Sequence, residues 1–240
     1  MTHEPAKPRG RVEPSLLKRA EDVMATLERL DPIWGPLLIV AGAIALDVSL
    51  PEKLTLGPNW LLPGLEAILL LGLLIASPHP RMRHSPLRRR IAITLIALVS
   101  ATNIVSLYLL THFLLHHGTT PEQGRPLILA GIVLWVTNVL LFGLWYWELD
   151  RGGPVARATN PDAKPDFLFP QMMLPPEHAP RDWMPGLVDY LYVSFTNATA
   201  FSPTDTMPLS KTAKLLMSMQ ALASLLTIGL VVARAVNILR

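Results

Sequence analysis

The chain has no cysteine among its 240 residues. Disulfides, thiolate metal sites and cysteine nucleophiles are excluded together. Charge is scarce, with Asp, Glu, Lys and Arg at 16% of the chain and aromatics at 7%. No glycine-rich nucleotide loop and no nucleophile–base motif is present, so the sequence reads as a non-enzyme with no cofactor and no nucleic-acid partner. The first 30 residues are charged and have no early apolar core, so no cleavable leader is expected. No internal repeat of the kind that builds many transporters is found.

What is present is apolar and comes in blocks. Half of the residues are hydrophobic. They fall in runs at 33–50, 60–76, 91–115, 127–147 and about 213–239, not in alternating or amphipathic patterns. Each run is near the ~20 residues needed to cross ~30 Å of hydrocarbon, the first being the shortest. The expected fold is all-α: a polytopic integral membrane protein with about five transmembrane helices. Residues 15–30 add an amphipathic helix, with Leu16, Ala20, Val23, Leu27 and Leu30 on one face.

Lys and Arg concentrate on the cytoplasmic side of membrane proteins. With five spans, the N-terminal tail, the 77–90 loop, the 148–187 loop and the start of the last block share one side. They hold 17 of the 21 basic residues. This places the N-terminus in the cytoplasm. The chain divides into a tail with its amphipathic helix (1–32), a three-helix module (33–118) and a second unit (126–240). That unit holds one helix at 126–148, a long loop at 149–185, a short helix and polar turn at 186–208, and a last helix at 212–239.

The second unit carries a motif. Leu191-Tyr-Val-Ser194 precedes Thr199-Ala-Phe-Ser-Pro-Thr-Asp205, and Pro208 and Leu209-Ser-Lys211 follow. This resembles the pore region of potassium-type tetrameric channels, where a Leu-Tyr-Phe-Ser pore helix leads into Thr-Thr-Val-Gly-Tyr-Gly-Asp. It also resembles a bacterial group of inner-membrane proteins with a channel-like C-terminus. The resemblance implies a re-entrant pore helix, a homotetramer, a lipid bilayer around it and cations through it. Thr199, Ala200, Phe201, Ser202, Pro203, Thr204 and Asp205 would form the constriction. Ser218, Thr227 and Gly229 would be the small or polar positions of an inner helix. The departures are specific. Ser202 and Thr204 stand where the two filter glycines do, and Pro203 where the tyrosine does. A ladder of inward carbonyls needs residues that adopt left-handed backbone angles, so only side-chain rings from Ser202, Thr204 and Asp205 remain. The loop would also enter from the cytoplasmic side.

Outside the motif, Asp47, Glu66 and His112 are ionisable residues in apolar blocks, at similar expected depth. Such residues are costly and often functional. They give a proton-coupled transporter as one alternative, and a non-conducting membrane scaffold is the other. His112 and His116 are one turn apart, a weak metal signal. Asn103 and Asn138 are expected to hydrogen-bond between helices. Trp145-Tyr-Trp147 reads as an interfacial aromatic belt.

Overall fold

The computed structural model of the chain describes residues 34–55, 61–76, 86–116, 121–175, 177–178, 183–199 and 205–238. The amphipathic helix expected over 15–30 and the turn residues 200–204 lie outside them. In chain order the helices are α1 (Trp34–Val48), α2 (Leu61–Ala76), α3 (Pro86–His116), α4 (Pro121–Leu149), α5 (Pro154–Thr159), α6 (Leu187–Thr199) and α7 (Lys211–Ile238). Two short strands, β1 (Phe167–Leu168) and β2 (Met207–Pro208), and three single 3-10 turns accompany them. The all-α expectation agrees with this architecture. Helices α3, α4 and α7 are long and apolar enough to cross a membrane. The 15 residues of α1 and the 16 of α2 are apolar but shorter. At 1.5 Å per residue they reach about 22 and 24 Å, less than a ~30 Å hydrocarbon layer.

Helix α4 organises the bundle, with α1, α3, α6 and α7 packed around it. Partner positions fix directions. Arg89 on α3 donates to Glu148 at 2.7 Å, while Leu110 packs with Leu127 and Leu134, so α3 runs antiparallel to α4. Asn138 bonds Ser224 and Tyr146 bonds Gln220, so α7 is antiparallel to α4 as well. Leu37, Val40 and Ile44 of α1 pack on Leu95, Val99, Leu141 and Leu144. One end of the bundle therefore collects Arg88, Arg89, Arg90, Arg151, Arg157, Lys164, Lys211 and Lys214. Among the described residues the other end holds Lys53, Arg125 and Arg234.

Helix α4 stops where three successive residues take positive φ: Arg151 (52°), Gly152 (83°) and Gly153 (100°). Glycine adopts such angles freely and arginine does not. Arg151 is held there by its own N–H on Asp166 Oδ2 (2.9 Å) and its guanidinium on the Pro161 carbonyl (2.9 Å). The stretch that follows has no sequence periodicity, yet it folds. Phe167 and Phe169 are buried against Tyr146, Tyr190 and Trp183. β1 pairs antiparallel with β2, Phe167 opposite Pro208. The stretch after α4 is thereby tied to the segment that precedes α7.

Helix α6 lies close against α4 at Gly143. A Cβ there would stand 2.6 Å from Leu191 Cδ2 and 3.2 Å from the Leu191 Cα. Small residues permit such approaches between apolar helices. Gly143→Val is expected to push α6 outward at a cost of roughly 1–3 kcal/mol, read as a lower thermal midpoint in detergent. Gly229→Ala is the control, because a Cβ at Gly229 meets nothing within 4 Å. Equal midpoints for the two variants would show that the approach does not constrain α6.

Candidate functional site

The start of α6 is set locally. Asp189 Oδ2 accepts the Gly186 N–H at 2.8 Å, satisfying a donor that a helix start leaves orphaned. From there α6 buries Leu187, Tyr190, Val193, Ser194 and Ala198. Its opposite side exposes Val188, Tyr192 and Phe195.

The buried side is polar where α4, α6 and α7 meet. Gln220 of α7 is the hub. Its Nε2 donates to Ser194 Oγ (2.6 Å) and to the Ser194 carbonyl (2.9 Å). Its Oε1 accepts from Tyr146 Oη (2.5 Å) and Asn197 Nδ2 (2.8 Å). Asn197 also donates to the Met217 carbonyl at 2.9 Å, and Ser194 Oγ to the Val139 carbonyl at 2.6 Å. Each polar group is matched, as burial demands.

A second network sits at the end where α4 finishes. Asp150, fully buried, accepts from Tyr190 Oη (2.5 Å) and from the Asp166 N–H (2.7 Å). The Arg157 guanidinium donates to the Trp147 and Asp150 carbonyls and lies 5.0 Å from the Tyr190 ring centroid.

These contacts fix the path of the chain. Tyr190 is level with Asp150, and the Ala198 carbonyl meets Trp135 Nε1 at 3.3 Å, so α6 runs antiparallel to α4. Asn197 is level with Met217 and Gln220, so α6 runs parallel to α7. Nine residues separate Lys211 from Gln220, so α6 ends about 14 Å in from the start of α7. By Met207 the chain is back at the end it left, paired with Leu168.

Of the residues singled out in the sequence, Thr199 ends α6 and its hydroxyl donates to the Thr196 carbonyl at 2.8 Å. Asp205 is exposed. Ala200, Phe201, Ser202, Pro203 and Thr204 lie outside the described residues. On α7 the three inner-helix positions separate. Ser218 and Gly229 are exposed, whereas Thr227 is buried and donates to the Ala223 carbonyl at 2.8 Å. Thr227 thus belongs to the face turned to the bundle, and Ser218 and Gly229 to the opposite one. That outward face also carries Leu215, Leu222, Leu225, Val232 and Val236.

Asp47 and Glu66 are both buried, and Asp47 acts electrostatically on Glu66. His112 does not join them. Glu66 meets α3 at Thr102, ten residues from His112, about 15 Å along the helix. The His112 ring instead stacks on His116 at 4.3 Å, and no group of three metal-ligating residues is found among the described residues. Asn138 makes its interhelical bond, to Ser224 at 2.8 Å. Asn103 Oδ1 is buried without a hydrogen-bond partner among the described residues. The aromatic belt needs correcting at its centre. Tyr146 is fully buried as a Gln220 partner, and Trp145 donates to Ser100 at 3.0 Å.

Sequence reasoning missed Tyr146, Tyr190, Asp150 and Gln220. The available signal was one amide, Gln220, in the interior of an apolar block. Compared with known proteins, the chain matches no family model, no curated protein and no solved structure.

Proposed function

We propose that this chain is one subunit of an oligomeric cation-conducting membrane pore, most simply a homotetramer. In this reading α4 is the outer helix, α6 a re-entrant pore helix and α7 the inner helix. One observation carries it: α6 goes about halfway along α4 and about a third of the way along α7, and by Met207 the chain is back at the end it came from. Irregular backbone at membrane depth needs protein or a water-filled cavity around it, and a single subunit cannot enclose such a cavity.

The faces of α6 and α7 support the same reading. In its most apolar stretch α7 has 22% of residues buried within the chain, against 56% for the corresponding helix of α4. Neighbouring subunits and the pore would occupy the rest, with Ser218 and Gly229 turned away from α4. The basic end of the bundle would face the cytoplasm, so the pore loop would enter from that side. Asp205 would set charge preference, as acidic rings do in cation pores.

The test is flux through the purified protein in liposomes, paired with imaging of its symmetry. Wild-type vesicles should pass potassium or sodium. Asp205→Asn should move the reversal potential in a salt gradient toward zero as cation preference falls severalfold. A monomer or dimer that passes no cation would sink the pore. It would favour a non-conducting scaffold, the reading that Ser202, Pro203 and Thr204 at the filter positions support.

A further inference from the structure

A separate buried polar site lies among α1, α2 and α3, away from the α4–α6–α7 unit. Glu66 of α2 is fully buried there. Its Oε1 lies 3.1 Å from Thr102 Oγ1, and its Oε2 is buried with no hydrogen-bond partner among the described residues. Asp47 of α1, also buried, is the charged group that acts on it, and from α3 the neighbour is the uncharged Thr102.

The surroundings of Thr102 are the second observation. Its Oγ1 lies 3.1 Å from the Leu98 carbonyl and 2.9 Å from the Val99 carbonyl, in addition to Glu66 Oε1. Three acceptor oxygens surround a group that has one proton to give. If that proton goes to a carbonyl, a carboxylate Oε1 faces another oxygen with no hydrogen between them. If it goes to Glu66, Oε2 keeps charge in an apolar interior beside a second carboxylate. A buried carboxyl relieves either conflict by taking up a proton. The conflict at Thr102 is then resolved: Glu66 Oε1–H donates to Thr102 Oγ1, Thr102 donates to the Val99 carbonyl, and Oε2 is left uncharged.

We propose that Glu66, with Thr102 as acceptor and Asp47 beside it, is a proton-binding site of the α1–α2–α3 bundle. Asp47 stands next to the exposed Val48 and Ser49 at the end of α1, so it is the carboxyl through which the proton exchanges with water. Helix α2 packs chiefly on α1 and α3. It is the element that a charge on Glu66 would displace.

Infrared spectroscopy of the purified protein near neutral pH tests this through the carbonyl stretch of a neutral carboxylic acid. Wild type should show such a band. Glu66→Gln, whose amide can still donate to Thr102, should lose it, and Asp47→Asn should keep it. Exchanging sodium and potassium for a bulky organic cation should leave the band unchanged. Loss of the band in Asp47→Asn alone would put the proton on the other carboxyl and overturn the assignment. So would a wild type without the band whose thermal midpoint rises with sodium or potassium, because the site would then hold a metal cation. If Glu66→Gln fails to fold, Thr102→Val gives the second reading: the band should shift as its acceptor is lost, and an unshifted band refutes the Glu66–Thr102 pairing.

Discussion

Gln220→Leu is expected to destabilise the protein by on the order of 2–3 kcal/mol, because it removes the hub that joins α4, α6 and α7. Leucine fills nearly the same volume, so the cost reports hydrogen bonds and not a cavity. The change leaves the buried Tyr146 O–H without its acceptor, removes one of the three bonds of Asn197 Nδ2 and takes a donor from Ser194. Polar bonds between apolar helices average under ~1 kcal/mol each, so a hub of four bonds is needed to reach this size. For a chain this long the thermal midpoint in detergent should fall by about 4–12 °C. Adding Tyr146→Phe should recover part of the loss, since an apolar pair leaves nothing unsatisfied. A midpoint within about a degree of wild type would mean that the network does not hold α6 in place.

The second large effect belongs to Asp150. Its carboxylate joins Tyr190 of α6 to the Asp166 N–H, with Arg151 Nε at 4.0 Å. Asp150→Ala leaves the buried Tyr190 hydroxyl and the part-buried Asp166 N–H without their acceptor, and removes the carboxylate that faces Arg151. Breaking one side of such a buried cluster costs roughly 3–5 kcal/mol. The consequence should be local first. The stretch from α5 to β1 should open, and cleavage at the exposed Lys164 should rise by at least about tenfold in limited proteolysis, since proteolysis follows the population of the open form. On the pore reading, flux in liposomes should fall with it, because the same carboxylate anchors the first turn of α6. Cleavage at the wild-type rate would show that Phe167 and Phe169 alone hold the segment.

The helices were legible and their polar joints were not. Apolar runs announce helices by length and composition, and α3, α4 and α7 were read within a few residues. The small helix from Leu187 was legible as well, as a half-buried stretch ahead of a polar turn. The 150–175 stretch was not, because a two-residue strand pair and a Phe167–Phe169 plug leave no periodicity to read. Tyr146 was misread for a related reason. Aromatic residues at a helix end look the same whether they face an interface or a buried amide 74 positions later. Asp47 and Glu66 were picked out by their cost in apolar surroundings, which needs no partner information. His112 was grouped with them by depth alone, and the position of Thr102 on α3 separates it.

The position of Gln220 also bears on the order in which the protein is made. The amide that satisfies Ser194 comes 26 residues after it, and the one that satisfies Asn197 comes 23 after it. A 13-residue helix carrying Asp189, Ser194 and Asn197 has too little apolar length to enter a bilayer by itself. Until α7 is released, Asn197 lacks both Met217 and Gln220, and Ser194 has only the Val139 carbonyl of α4. On the pore reading, α6 would wait at the surface until α7 follows, and the two would go in as a pair. A truncation that ends before residue 220 should leave the segment from 187 to 199 outside the membrane, however well α1 to α4 have inserted.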